Sequence, residues 1–186
     1  WLTWKDTINV RALNNNTGTI HLSNLCTEIT LPQDKDNIAT CNLVSINLSA
    51  FLREDKTWDW DRLQEASRAA IRQLDNLIDI TETPVKEAMH ANQQTRAVGL
   101  GMMGFSDVLE KLGYCYESSE AYELIDQLTE FISYHAIDQS ADLATELGNY
   151  PTYKGSGWRK GVLPIDTVAE LSNNRKVKVK IDSKTR

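Results

Sequence analysis

Apolar residues recur at intervals of three and four along residues 59–80. Trp60, Leu63, Ala70, Ile71, Leu74, Leu77 and Ile78 form one stripe, and Arg62, Glu65, Arg68 and Arg72 fall largely off it. That spacing predicts an amphipathic helix, ended by Thr83-Pro84. A longer helix is predicted over about 119–147. Ser118-Ser119 caps it, Glu120 and Glu123 sit near its positive end, Leu124, Leu128 and Ile132 share a stripe, and Gly148 closes it. Shorter helices are expected over 85–94 and over 105–112, the latter stopped by Gly113.

Between the helices the period changes to two. Thr19-Ile20-His21-Leu22 alternates and reads as a short strand leading into residues 23–29, which Pro32 stops because it has no N–H to give a central strand. Residues 33–37 read as a charged surface loop. Residues 39–48, where Val44, Ile46 and Leu48 alternate with Ser45 and Asn47, read as a second strand entered at Cys41. Residues 96–104 are apolar and dotted with glycine, as in a buried strand turning tightly into a helix. Residues 1–16 run into a polar turn at 14–18, residues 150–161 form a loop, and 175–180 alternate Lys with Val as a strand or exposed edge. No interior linker divides the chain. Short strands separated by long helices give an α/β class.

Composition narrows the function classes. A net charge of −6 gives no electrostatic case for nucleic acid or an anionic membrane as partner. No run of eighteen apolar residues is present for a membrane span. Three cysteines do not make a disulfide framework, so a reducing, cytoplasmic setting is expected. His21, His90 and His135 lie far apart with no cysteine at ligand spacing, so no metal site is expected. His135, on the long helix, reads as an ordinary core or surface histidine, and Cys115 as an unremarkable loop thiol.

Two motifs carry more. Gly99-x-Gly101-x-x-Gly104 matches a dinucleotide fingerprint, but the acidic residues about 20 positions on, Glu120 and Glu123, open a helix instead of ending a second strand. Close packing of strand against helix is the favoured reading. In Ser23-Asn24-Leu25-Cys26-Thr27-Glu28-Ile29, an extended backbone would point Asn24, Cys26 and Glu28 to one side and Leu25, Thr27 and Ile29 to the other. At roughly 3.3 Å per residue the acid and the amide would start about 13 Å apart, with the thiol between them. A lone cysteine is usually a small core hydrophobe. An acid and an amide on its own face point to chemistry, because burying both without a polar purpose is costly.

With Cys41 opening Cys-Asn-Leu-Val-Ser-Ile-Asn-Leu, with Gly-Leu-Gly-Met-Met-Gly-Phe at 99–105 and with Lys-Gly-Val-Leu-Pro-Ile-Asp-Thr at 160–167, the 23–29 stretch resembles the catalytic core of the large subunit of ribonucleotide reductase over nearly the whole chain. The resemblance implies part of a ten-stranded α/β barrel, truncated at both ends, with 19–32 as its finger loop. It implies reduction of ribonucleotides to 2′-deoxyribonucleotides. Cys26 would be the thiyl-radical cysteine that takes the 3′ hydrogen, and Glu28 the base on the 3′ hydroxyl. Asn24 would hydrogen-bond the substrate, with Ser23 beside it among the substrate contacts, and Cys41 would be half of a redox pair that ends as a disulfide.

The resemblance also implies no cofactor on this segment. The radical would come from a metal-containing small partner subunit or from adenosylcobalamin, and ATP and dNTP effectors would bind elsewhere. The implied partners are the ribonucleotide, the remaining parts of the large chain, a second copy in a homodimer, and thioredoxin or glutaredoxin as reductant. The second redox cysteine, the phosphate-holding loop and the tyrosines of the radical path lie outside this stretch, so the isolated chain is expected to be inactive. Two other classes stay open: a barrel fragment whose role is assembly, and a thiol redox module in which Cys26 and Cys41 form a reversible disulfide.

Overall fold

The computed structural model describes residues 2–175. The strongest periodic signals become its helices. In chain order the elements are α1 (Lys5–Arg11), β1 (Leu43–Asn47), α2 (Trp60–Ile80), α3 (Lys86–Thr95), β2 (Gly99–Met103), α4 (Phe105–Leu112), α5 (Ser119–Leu147) and α6 (Asp166–Arg175). They divide between two compact units. A core unit comprises Asn42–Thr81 and Val98–Gly148, and a loop unit the described residues of Trp1–Cys41, Glu82–Ala97 and Asn149–Arg186.

In the core unit, Asp59 caps α2 by accepting the Arg62 N–H, and Ser118 caps α5 by accepting the Ala121 N–H. Both match the predicted starts, because a side-chain oxygen there satisfies a backbone donor that the helix cannot. β1 and β2 pair in parallel, with Ile46 opposite Met102. Ile46 and Leu48 pack with Leu63 of α2, Val108 and Leu109 of α4, and Ala121, Leu124, Leu128 and Ile132 of α5 in one buried apolar cluster. The same two helices are also joined by ion pairs: Arg68 of α2 pairs with Asp138 and Asp142 of α5, and Arg72 pairs with Glu146 at 2.5 Å.

The glycines of residues 99–104 serve this packing, though against a strand more than a helix. A Cβ on Gly99 would lie 2.5 Å from the Leu43 side chain across the sheet. Gly104 turns the chain into α4 at φ +76°, and a Cβ there would meet the Asn47 side-chain oxygen at 2.6 Å.

Three expectations need correction. β2 is not a buried strand: Met103 is 53 % exposed, since two strands packed on one face leave the other open. The strand expected over 39–48 begins only at Leu43 and gives way to a short 3₁₀ turn at Leu48–Ala50. No strand forms at 19–22. Unanticipated, α1 buries no residue and so has no apolar stripe to announce it. Residues 176–180 of the Lys/Val alternation lie outside the described residues.

The loop unit is joined differently. Among the residues whose burial is described, its buried hydrophobics are Ile20, Ala88 and Ala91. Side-chain hydrogen bonds, to backbone and to one another, stitch it together. Asn16 donates to the Thr152 carbonyl at 2.9 Å, Thr152 donates to the Gln94 carbonyl at 2.9 Å, and the Tyr150 hydroxyl donates to Asn14 Oδ1 at 2.8 Å. Arg11 of α1 reaches Thr167 of α6 at 3.1 Å.

Candidate active site

Residues 23–29 fold as a tight turn. The Thr27 N–H donates to the Asn24 carbonyl at 3.1 Å, which puts Leu25 and Cys26 at the centre of a β-turn. Thr27 follows at φ +69°. For a β-branched residue this is an outlier, and such left-handed strain costs about 1–3 kcal/mol. The turn is locked from inside. Asn24 Nδ2 donates to Glu28 Oε1 at 2.5 Å, the Ile29 N–H donates to Asn24 Oδ1 at 3.0 Å, and the Ser23 hydroxyl donates to the Ile29 carbonyl at 2.6 Å.

This corrects the extended reading. Asn24 and Glu28 are in hydrogen-bond contact, with Cys26 at the tip between them. The face expected to pack does not: Leu25 is 82 % exposed. Alternation says where side chains would point if a strand formed. A strand needs a neighbour's ladder, and the side chains of Ser23 and Asn24 offer these backbone groups nearer partners.

Cys26 is exposed, so the small-hydrophobe reading fails in this structure, and Cys41 and Cys115 are exposed and free as well. Cys41 precedes β1 instead of lying on a strand beside the Cys26 segment. The turn therefore assembles Ser23, Asn24, Cys26 and Glu28, while Cys41 enters from a separate stretch of the same unit.

Sequence reading missed the residues at the root of the turn. Asn9, on α1, donates to the Ile20 carbonyl and accepts the Ile20 N–H, both at 2.8 Å. Gln33 accepts the His21 N–H at 3.1 Å and donates to the Leu22 carbonyl at 3.0 Å. Asparagine and glutamine are common on surfaces, so nothing in their spacing flags this work. Below them, Asp34 Oδ1 accepts from Asp36 N–H, Asn37 N–H and the Asn37 amide. These bonds, the Asp36 N–H foremost, hold its carboxyl below the usual range. A cavity of about 290 Å³ beside the root is lined by Pro32, Thr40, His90, Gln94 and Lys154 among others, and by none of Asn24, Cys26 or Glu28. Among the described residues no group of three or more His, Cys, Asp or Glu is placed to hold a metal, and no helix is long and apolar enough to cross a membrane.

Residues 1–185 match the family model of the ribonucleotide reductase barrel domain. The chain belongs to that family. Among its relatives are the ribonucleoside-diphosphate reductase subunit alpha of Chlamydia muridarum, 49 % identical over 94 % of this chain and 17 % of that protein, and the large subunit of Danio rerio, 38 % identical over 89 % and 21 %. The large subunit of variola virus is 37 % identical over the same shares, 89 % and 21 %. The chain thus spans about a fifth of the length of the curated relatives it matches. Family membership makes its parallel strand pair and helices part of an α/β barrel.

Proposed function

We propose that this chain carries the radical site of a ribonucleotide reductase large chain, which reduces ribonucleotides to 2′-deoxyribonucleotides. Cys26 is the thiyl cysteine that takes the 3′ hydrogen atom and becomes a thiol as the ribose carbon becomes the radical. Glu28 takes the 3′ hydroxyl proton, and Asn24, with Ser23 beside it, orients the ribose. Cys41 is one half of the dithiol that supplies the two electrons of the reduction and ends as a disulfide. The names of the relatives favour a diphosphate as substrate.

One observation carries the reading. A single turn gathers a thiol, a carboxylate and an amide, with Asn24 donating to Glu28 Oε1 at 2.5 Å and Cys26 at the tip. The chemistry follows from the groups. An amide neither titrates nor repels an anionic substrate, so it orients without competing for the proton. A carboxylate with one oxygen held by that amide keeps the other for a hydroxyl, within the reach a general base needs. A thiol gives up its hydrogen atom readily, and an exposed tip can be delivered into a cavity closed by other parts of the large chain.

Those other parts, a second copy, and thioredoxin or glutaredoxin as reductant complete the proposal in a cytoplasmic setting. A metal-bearing small subunit or adenosylcobalamin would supply the radical from outside these residues, and ATP or dNTP effectors would bind elsewhere. In the full-length protein, Cys26→Ser should abolish turnover and leave nucleotide binding intact. Turnover retained by that variant overturns the assignment.

A further inference from the structure

Backbone polar groups that no helix or strand pairs must find other partners. Residues 20–22, which form neither, carry such groups. Ile20 is 2 % exposed, so its N–H and C=O cannot turn to water. Asn9 meets both at 2.8 Å, and its second amide hydrogen goes to the Lys5 carbonyl at 2.9 Å, so both of its amide hydrogens are engaged. Gln33 does the same for the next step: its oxygen takes the His21 N–H and its nitrogen gives to the Leu22 carbonyl. Each side-chain amide thus accepts one backbone N–H and donates to one backbone carbonyl of this stretch.

Residues 23–29, in contrast, are closed on themselves by the Ser23–Ile29 and Asn24–Ile29 bonds. A turn closed internally moves as one piece about its root, so a small rotation at residues 20–22 is carried out to the thiol. We infer that Asn9 and Gln33 are positioning residues for the radical site, clamping the backbone at the root of the turn so that Cys26, Asn24 and Glu28 are held at one angle to the substrate. This rests on the function proposed above.

The test uses the full-length protein with Asn9→Ala, Gln33→Ala, Gln33→Glu and, as a surface control on α2, Arg72→Ala. Turnover and KM for a ribonucleoside diphosphate are measured per folded molecule, and the alkylation rate of Cys26 by iodoacetamide is followed by peptide-resolved mass spectrometry. A misplacement near 1 Å costs up to about 100-fold in rate, so kcat should fall about 10- to 100-fold in Asn9→Ala and Gln33→Ala. KM should stay within about twofold, as for an interaction that matters in the transition state and not in binding. The Cys26 alkylation rate should shift in both. Gln33→Glu keeps the acceptor and loses the donor, and should fall between Gln33→Ala and the unaltered protein.

Turnover per folded molecule within about twofold of normal in both alanine variants, or an equal fall in Arg72→Ala, overturns the inference. Should Asn9→Ala not fold, Gln33→Ala, at the surface, decides alone. The Cys26→Ser variant separates the two levels. Activity there sinks the function itself, whereas a dead Cys26→Ser beside normal alanine variants sinks only the positioning role.

Discussion

The core unit and the loop unit solve the same problem with opposite materials. In the core unit, side chains from α2, α4, α5 and β1 meet in one apolar cluster, with Leu48, Leu63, Val108 and Leu128 fully buried. In the loop unit, Ile20 is the one large hydrophobic fully buried among the residues whose burial is described, and asparagine, glutamine and threonine side chains hold the backbone in place. Apolar packing is non-directional and tolerates small displacements, while a hydrogen bond to backbone fixes both distance and angle. The candidate site lies in the unit built from directional bonds. Stability and position are thereby separated: one unit supplies most of the described buried hydrophobic side chains and the other holds the candidate turn, with Thr27 at φ +69°.

The contrast breaks most sharply at Leu128. Leu128→Ala removes a fully buried side chain from the cluster and should cost about 2 to 5 kcal/mol. In the full-length protein, hydrogen exchange should show the loss in peptides of α2 and α5, with residues 2–41 little changed. Equal loss in both units would mean that they do not differ as described.

A smaller effect is expected from Asn16→Ala, which frees the Thr152 carbonyl and the Lys154 carbonyl that Asn16 also reaches at 3.3 Å. Both are near the surface, so water recovers part of the loss and about 1 kcal/mol is expected. Exchange should quicken around residues 14–18 and 150–156 alone. A spread of the effect into α5 would show that the stitch also supports the apolar cluster.

The smallest effect is electrostatic. His135 of α5 packs edge-on to Phe131 and Tyr134, and its Nδ1 is buried without a partner. Burial first, then the charge of Arg68, holds its pKa below the ordinary 6.5, with Asp138 pulling the other way. The folded chain therefore binds this proton less readily than the unfolded one. As pH falls through 6.5 the unfolded chain protonates first and stability drops, while above that pH the group has no effect. Thermal unfolding between neutral and mildly acidic pH should show the drop in the unaltered protein and a shallower one in His135→Gln. Parallel curves would remove His135 from the account.

Legibility followed the same division. The core unit was readable because its elements are set by periodicity and caps. The stripe at Leu63, Ala70, Ile71, Leu74 and Ile78, the cap at Ser118 and the stop at Gly113 all stand where the sequence pattern put them. The loop unit was readable only as a roster of residues. α1 has no apolar face to betray it, and the expected strand at 19–22 has the right alternation but no partner strand.

The order of residues is enough to name Ser23, Asn24, Cys26, Glu28 and Cys41 as candidates and to place the helices around Leu63 and Leu128. The shape in which the first four are presented comes from contacts made on folding. A turn, with Asn24 on Glu28 and Thr27 left-handed, replaced a strand because the nearest partners for its backbone were side chains. Two of these, on Ser23 and Asn24, are local, while Asn9 lies 11 residues before Ile20 and Gln33 lies 12 after His21. Alternation reports a face, but hydrogen-bond partners that far apart in the chain leave no period to read.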